Sequence, residues 1–152
     1  DALYTCEPGD VLIGTSMTEA NVSAFMLWPH TNICTDGSLL DRHPRGAGSF
    51  PKVLGRYVRD QGRLSLELAI HKMTGLPAEQ LGLAQRGKVA EGYIADLVLF
   101  DPATIIDRAT TQTPHRLSEG VSDVWVAGER VLQRGVSNDA FPGRVLRRAG
   151  AN

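Results

Sequence analysis

The chain has 152 residues, the size of one domain and enough to bury a core. With 42% hydrophobic and 22% charged residues, its composition is that of a soluble globular chain, neither disordered nor a membrane protein. Lysine and arginine (16) balance aspartate and glutamate (17), and a net charge of -1 gives no global reason to expect nucleic acid as a partner.

Cys6 and Cys34 have no CxxC partner. A chain of this length needs no disulfide framework, so the cysteines point to a reducing compartment and a cytoplasmic location. The segment Asp1 to Gly14 lacks the basic and apolar regions of a signal peptide. A start at Asp1 rather than Met leaves processing or a piece of a longer chain as alternatives.

In chain order, Val11 to Ile13 is a short apolar run ended by Gly14. Thr18 and Glu19 open a helix through Ala24, Phe25 and Leu27, stopped before Pro29. Thr31 to Thr35 reads as a strand, apolar enough at Ile33 and Cys34 for a buried parallel sheet, ending at Asp36-Gly37. Gly37 to Pro51 loses all periodicity and reads as a long loop, a place where function concentrates. Lys52 to Arg59 reads as a helix, and Ser65 caps another with apolar positions Leu66, Ala69, Ile70 and Met73. His71 and Lys72 fall in its last turn, Gly75 is placed to cap its C-terminus, and Pro77 starts a short helix through Leu81.

After Gly87 the period changes. Ala95 to Phe100 and Val121 to Ala127 read as strands, and Glu129 to Gln133 pairs with the latter through a hairpin turn at Ala127-Gly128. Phe141 to Asn152 reads as a frayed end.

The chemistry-bearing residues are few. Asp36 follows a strand at the end where α/β folds gather their catalytic groups, so it reads either as a simple turn residue or as a carboxylate for metal coordination and proton transfer. His43-Pro44-Arg45 offers an imidazole and a guanidinium fork, which serve equally as loop ties or as substrate contacts. Arg56, Arg59 and Arg63 read as a solvated helix face, and Trp28 and Trp125 as packing residues. His30, His71 and His115 show no zinc-site spacing, and no GxGxxG, P-loop or GxSxG motif is present.

Several segments nonetheless resemble one family. Cys34-Thr35-Asp36-Gly37, His43-Pro44-Arg45 with Gly48-Ser49-Phe50-Pro51 and Val53-Leu54-Gly55-Arg56-Tyr57, and Lys72-Met73-Thr74 with Leu76-Pro77-Ala78 resemble the N-acyl-D-amino-acid deacylases, or D-aminoacylases. Arg86 to Val98 resembles the return into the small β-domain shared across the wider amidohydrolase superfamily.

The fold this resemblance implies is α/β plus β: the last strand and helix segments of a (β/α)8 metal-dependent hydrolase barrel in residues 1-84, then part of a small β-sandwich domain in 85-152. It implies a zinc-dependent hydrolase of N-acyl-D-amino acids in which Asp36 moves the catalytic proton and can add a weak ligand to the metal. Arg45 would clamp the substrate carboxylate, Met17 would wall the acyl or side-chain pocket unless it is core packing, and His43 would orient the loop or Asp36. The main metal ligands have no match here. A barrel of this kind takes about 250 residues, so the resemblance makes the chain a C-terminal portion, inactive alone, that needs an upstream barrel segment or a companion chain. The alternatives are a non-catalytic binding or assembly module, and an amidohydrolase acting on another cyclic or acyl amide.

Overall fold

The computed structural model describes residues 14, 16–38 and 42–147. The apolar run Val11 to Ile13, Cys6 and the last residues of the expected frayed end lie outside them. The element order is α1 (Glu19–Leu27), α2 (Arg45–Lys52), a π-helical segment (Val53–Asp60), α3 (Leu66–Met73), α4 (Gly75–Leu81), then β1 (Leu97–Phe100), β2 (Val121–Val126), β3 (Glu129–Gln133) and β4 (Val136–Ser137).

The expected caps form. The Thr18 side chain accepts from the Asn21 N–H at 3.2 Å, and α1 ends where Trp28, the residue before Pro29, turns extended. The Ser65 hydroxyl accepts from the Leu68 N–H at 3.2 Å at the start of α3. Gly75 is not a cap. It is the first residue of α4, which therefore begins before Pro77, and the left-handed cap falls on Gly82 (φ 66°).

Two expectations in the first half are corrected. Residues 31–35 form an irregular segment rather than a strand, and Cys34 is exposed. A parallel strand exists only through its neighbours' hydrogen bonds, and among the described residues this segment's backbone meets α3 instead, through Ile33 N–H to the Lys72 carbonyl (3.0 Å).

The expected loop through Pro51 is helical from Arg45 onward. Gly46, Gly48 and Pro51 read as breakers, yet Gly48 is buried, with room for only a tight contact to the Asp107 side chain. Pro51 lacks the N–H that would bond the Ala47 carbonyl. The Ser118 hydroxyl donates to that carbonyl at 2.9 Å in its place. Beyond Pro51 the chain widens to i→i+5 bonding, as in Gln61 N–H to the Arg56 carbonyl at 2.9 Å.

The second half is a four-stranded antiparallel sheet in the order β1-β2-β3-β4. The hairpin at Ala127-Gly128 is as expected, with φ of 51° and 85°, the left-handed pair a type I′ turn requires. Arg134-Gly135 (φ 49° and 78°) makes a second such turn into β4, a strand too short for the sequence pattern to register. The core joins both halves: Met26, Leu54, Tyr57 and Ala69 pack with Ile105, and Phe100 and Val121 of the sheet lie against them. No helix among the described residues is long and apolar enough to cross a membrane.

Candidate active site

The irregular segment after α1 delivers Asp36 to the start of α2. Asp36 adopts φ 45°, a left-handed conformation that aspartate tolerates better than most residues, and its carboxylate is exposed. It forms an ion pair with Arg45, Oδ2 to Nη1 at 3.0 Å. The next residue, Gly37, touches the backbone of Gly46 so closely that a Cβ would sit 2.3 Å from the Gly46 Cα. The Thr35 hydroxyl accepts from the Gly37 N–H at 3.2 Å and tightens the turn.

His43 accepts the Arg45 N–H on its Nδ1 at 3.0 Å, which seats the first residue of α2. Met17, His43 and Arg45 line a cavity of about 550 Å³, together with Val22, Met26 and Ile33. Asp36 is not among its lining residues; it is coupled to the cavity through Arg45. His43 also borders a second cavity, of about 360 Å³, beside Ser38 and His115.

Sequence reading misses a polar group on the cavity wall. Tyr57 donates its hydroxyl to Glu19 Oε2 at 3.0 Å, and Arg56 pairs with Oε1 of the same carboxylate at 3.1 Å. Burial first, and then the Glu19 contact, hold the Tyr57 phenol above the ordinary tyrosine range, so it remains a donor at neutral pH. The signal for Glu19 is its place in the first turn of α1, which has an ordinary capping explanation. Asp107, from the connection after β1, also lines this cavity.

The three arginines are not merely a solvated face. Arg56 binds Glu19, Arg59 binds Asp60 and donates to the Ile105 carbonyl at 2.6 Å, and Arg63 Nε donates to Gln61 at 3.3 Å. Trp125 carries the Arg130 guanidinium 5.1 Å from its ring centre, and Trp28 stands edge-on to His30 at 5.5 Å.

Among the described residues no group of three or more His, Cys, Asp and Glu side chains is placed to hold a metal ion. A zinc site takes about four donors, and the one carboxylate singled out, Asp36, is engaged by Arg45. The described part of this chain therefore does not itself make a metal centre.

The family model described as "Amidohydrolase family" matches residues 30–132, which hold Asp36, the His43 to Arg45 turn and most of the sheet. The chain belongs to the amidohydrolase family. Its curated relatives include an N-acyl-D-aspartate deacylase of Alcaligenes xylosoxydans xylosoxydans, 47% identical over 86% of this chain and 26% of that protein. A D-aminoacylase of the same organism is 45% identical over 89% of this chain and 28% of its own length.

A crystal structure of D-aminoacylase superposes with a TM-score of 0.82 at 45% identity, over 87% of this chain and 28% of the other. That of an N-acyl-D-glutamate deacylase from Bordetella bronchiseptica, complexed with zinc and a phosphonate mimic of the tetrahedral intermediate, gives 0.78 at 42% identity, over 86% and 28%. The chain thus spans just over a quarter of the length of the relatives it matches.

Proposed function

We propose that this chain is the C-terminal portion of a zinc-dependent amidohydrolase that hydrolyses N-acyl-D-amino acids to a D-amino acid and a carboxylate. The observation that carries the reading is the Asp36–Arg45 ion pair at 3.0 Å, within the segment the amidohydrolase family model matches. Asp36 takes the proton of the attacking water as its oxygen bonds the acyl carbon, and returns it to the amide nitrogen as the C–N bond breaks. Arg45 turns its fork from Asp36 to the substrate carboxylate, fixing its charge and plane and releasing Asp36 for the proton. His43 holds the Arg45 backbone, and Met17 walls the apolar part of the cavity, where a thioether suits varied side chains.

In this reading residues 1-84 close the catalytic barrel, residues 85-152 belong to the small β-sandwich domain, and the main zinc ligands lie in an upstream barrel segment or companion chain. Phe25 and Leu27 on α1, Trp28 just after it, and Val98 and Leu99 on β1 are exposed apolar residues that such a segment would cover. The exposed thiol of Cys34 fits a cytoplasmic enzyme.

The test is hydrolysis of N-acetyl-D-amino acids with added zinc, by the 152-residue chain alone and by the chain joined to its upstream barrel. Turnover is expected only from the joined protein, and Asp36→Asn should lower its kcat by about a hundredfold or more. An active Asp36→Asn enzyme would remove Asp36 from the chemistry, and turnover by the chain alone would overturn its dependence on the barrel.

A further inference from the structure

Lys72 has no part in the chemistry proposed above, yet it is fully buried. It sits in the last turn of α3, and its ammonium donates to the Trp28 carbonyl at 2.6 Å and to the Thr31 carbonyl at 2.8 Å. A buried cation is normally matched by a carboxylate; here the partners in those bonds are backbone oxygens of a single short segment. Burial also draws the ammonium below the ordinary lysine range, so the surroundings tax the charge that the two carbonyls hold in place.

The same residue grips that segment a second way, because its own carbonyl accepts the Ile33 N–H at 3.0 Å. From α4, Gln80 adds bonds to His30 and Asn32. A segment with no strand neighbour among the described residues is thus fastened up to Ile33, three residues before Asp36.

We propose that Lys72 is a positioning residue for the deacylase reaction: by drawing the Trp28 and Thr31 carbonyls onto α3, it sets where Asp36 presents its carboxylate. The proposal rests on the reading of Asp36 as the group that returns the proton to the leaving amine. A carboxylate displaced by an ångström loses much of its effect on that step while substrate binding through Arg45 persists.

The test uses the complete zinc-loaded enzyme and compares kcat for an N-acetyl-D-amino acid with kcat for its thioester analogue, an S-acetyl-D-2-mercapto acid. The amine must be protonated as it departs, whereas a thiol is far more acidic than an amine N–H and leaves as the thiolate without a proton. The amide-to-thioester ratio is independent of the fraction of enzyme folded, so loss of stability alone does not move it. Lys72→Met should lower that ratio about tenfold or more with little change in KM. Leu66→Ala, at the other end of α3, should lower stability and keep the wild-type ratio.

Asp36→Asn should lower the ratio further. If it does and Lys72→Met does not, the positioning role is overturned and the role of Asp36 stands; if Asp36→Asn leaves the ratio unchanged, both fall. Should Lys72→Met fail to fold, Lys72→Gln, which keeps a donor for the carbonyls, gives an intermediate ratio, and a wild-type ratio in it overturns the proposal.

Discussion

A Cβ built on Gly37 would lie 2.3 Å from the Gly46 Cα and 2.9 Å from its nitrogen, and neither backbone can yield without moving a charged neighbour. Asp36 precedes one glycine and Arg45 precedes the other, so this contact brings their side chains to 3.0 Å. Gly37→Ala should therefore act on the pair rather than on a turn conformation. Forcing the backbones apart is expected to cost about 1–3 kcal/mol of stability and, in the complete enzyme, roughly a hundredfold in kcat/KM. Urea denaturation and steady-state kinetics on an N-acetyl-D-amino acid measure the two effects; an unchanged kcat/KM would show that the Asp36–Arg45 approach does not matter to turnover. Composition marks both glycines as loop residues, and nothing in a linear pattern says that they face each other across the eight residues between them.

Elements whose information is local are legible in the amino-acid sequence. The caps Thr18 and Ser65, the stop before Pro29, the apolar face of α3 and the Ala127-Gly128 turn depend on neighbours within about one helical turn in the chain. The misread elements depend on distant partners. α2 survives Pro51 because Ser118, far along the chain, satisfies the carbonyl that proline leaves bare, and the irregular 31–35 segment has, among the described residues, α3 for a neighbour in place of a strand. The same division holds in the site: Asp36 and Arg45 are visible as residue types, whereas Lys72 reads as a helix-end cation and is instead a buried tether.

The Ser118 contact makes an element-scale prediction. Ser118→Ala leaves the Ala47 carbonyl without its donor and should cost about 1 kcal/mol. In a Pro51→Ala background the restored N–H can serve that carbonyl, so the second loss should be smaller by about 0.5–1 kcal/mol. Denaturant midpoints of the four proteins in the cycle give the coupling, and strictly additive losses would show that Ser118 does not substitute for the missing helical bond.

At the scale of the molecule, the helical half and the sheet meet at Ile105, a residue 1% exposed. Gly55 of the π-helical segment approaches so near that a Cβ would fall 2.5 Å from the Ile105 carbonyl, and Arg59 of the same segment donates to that oxygen at 2.6 Å. From the other side, Gly120, at φ 91°, packs its backbone on the Ile105 Cα, and the Ile106–Glu119 bridge closes the connection just before β2. One apolar side chain and one carbonyl therefore link the segment that carries Tyr57 to the strand that begins at Val121.

If the two halves open as one cooperative unit, a loss at this link spreads to both. Ile105→Ala should cost about 2–5 kcal/mol, and amide hydrogen exchange should rise by a similar factor in the π-helical segment and in β2. Faster exchange confined to β2 would mean that the sheet opens by itself, and the helical half would then keep Asp36 and Arg45 together without it.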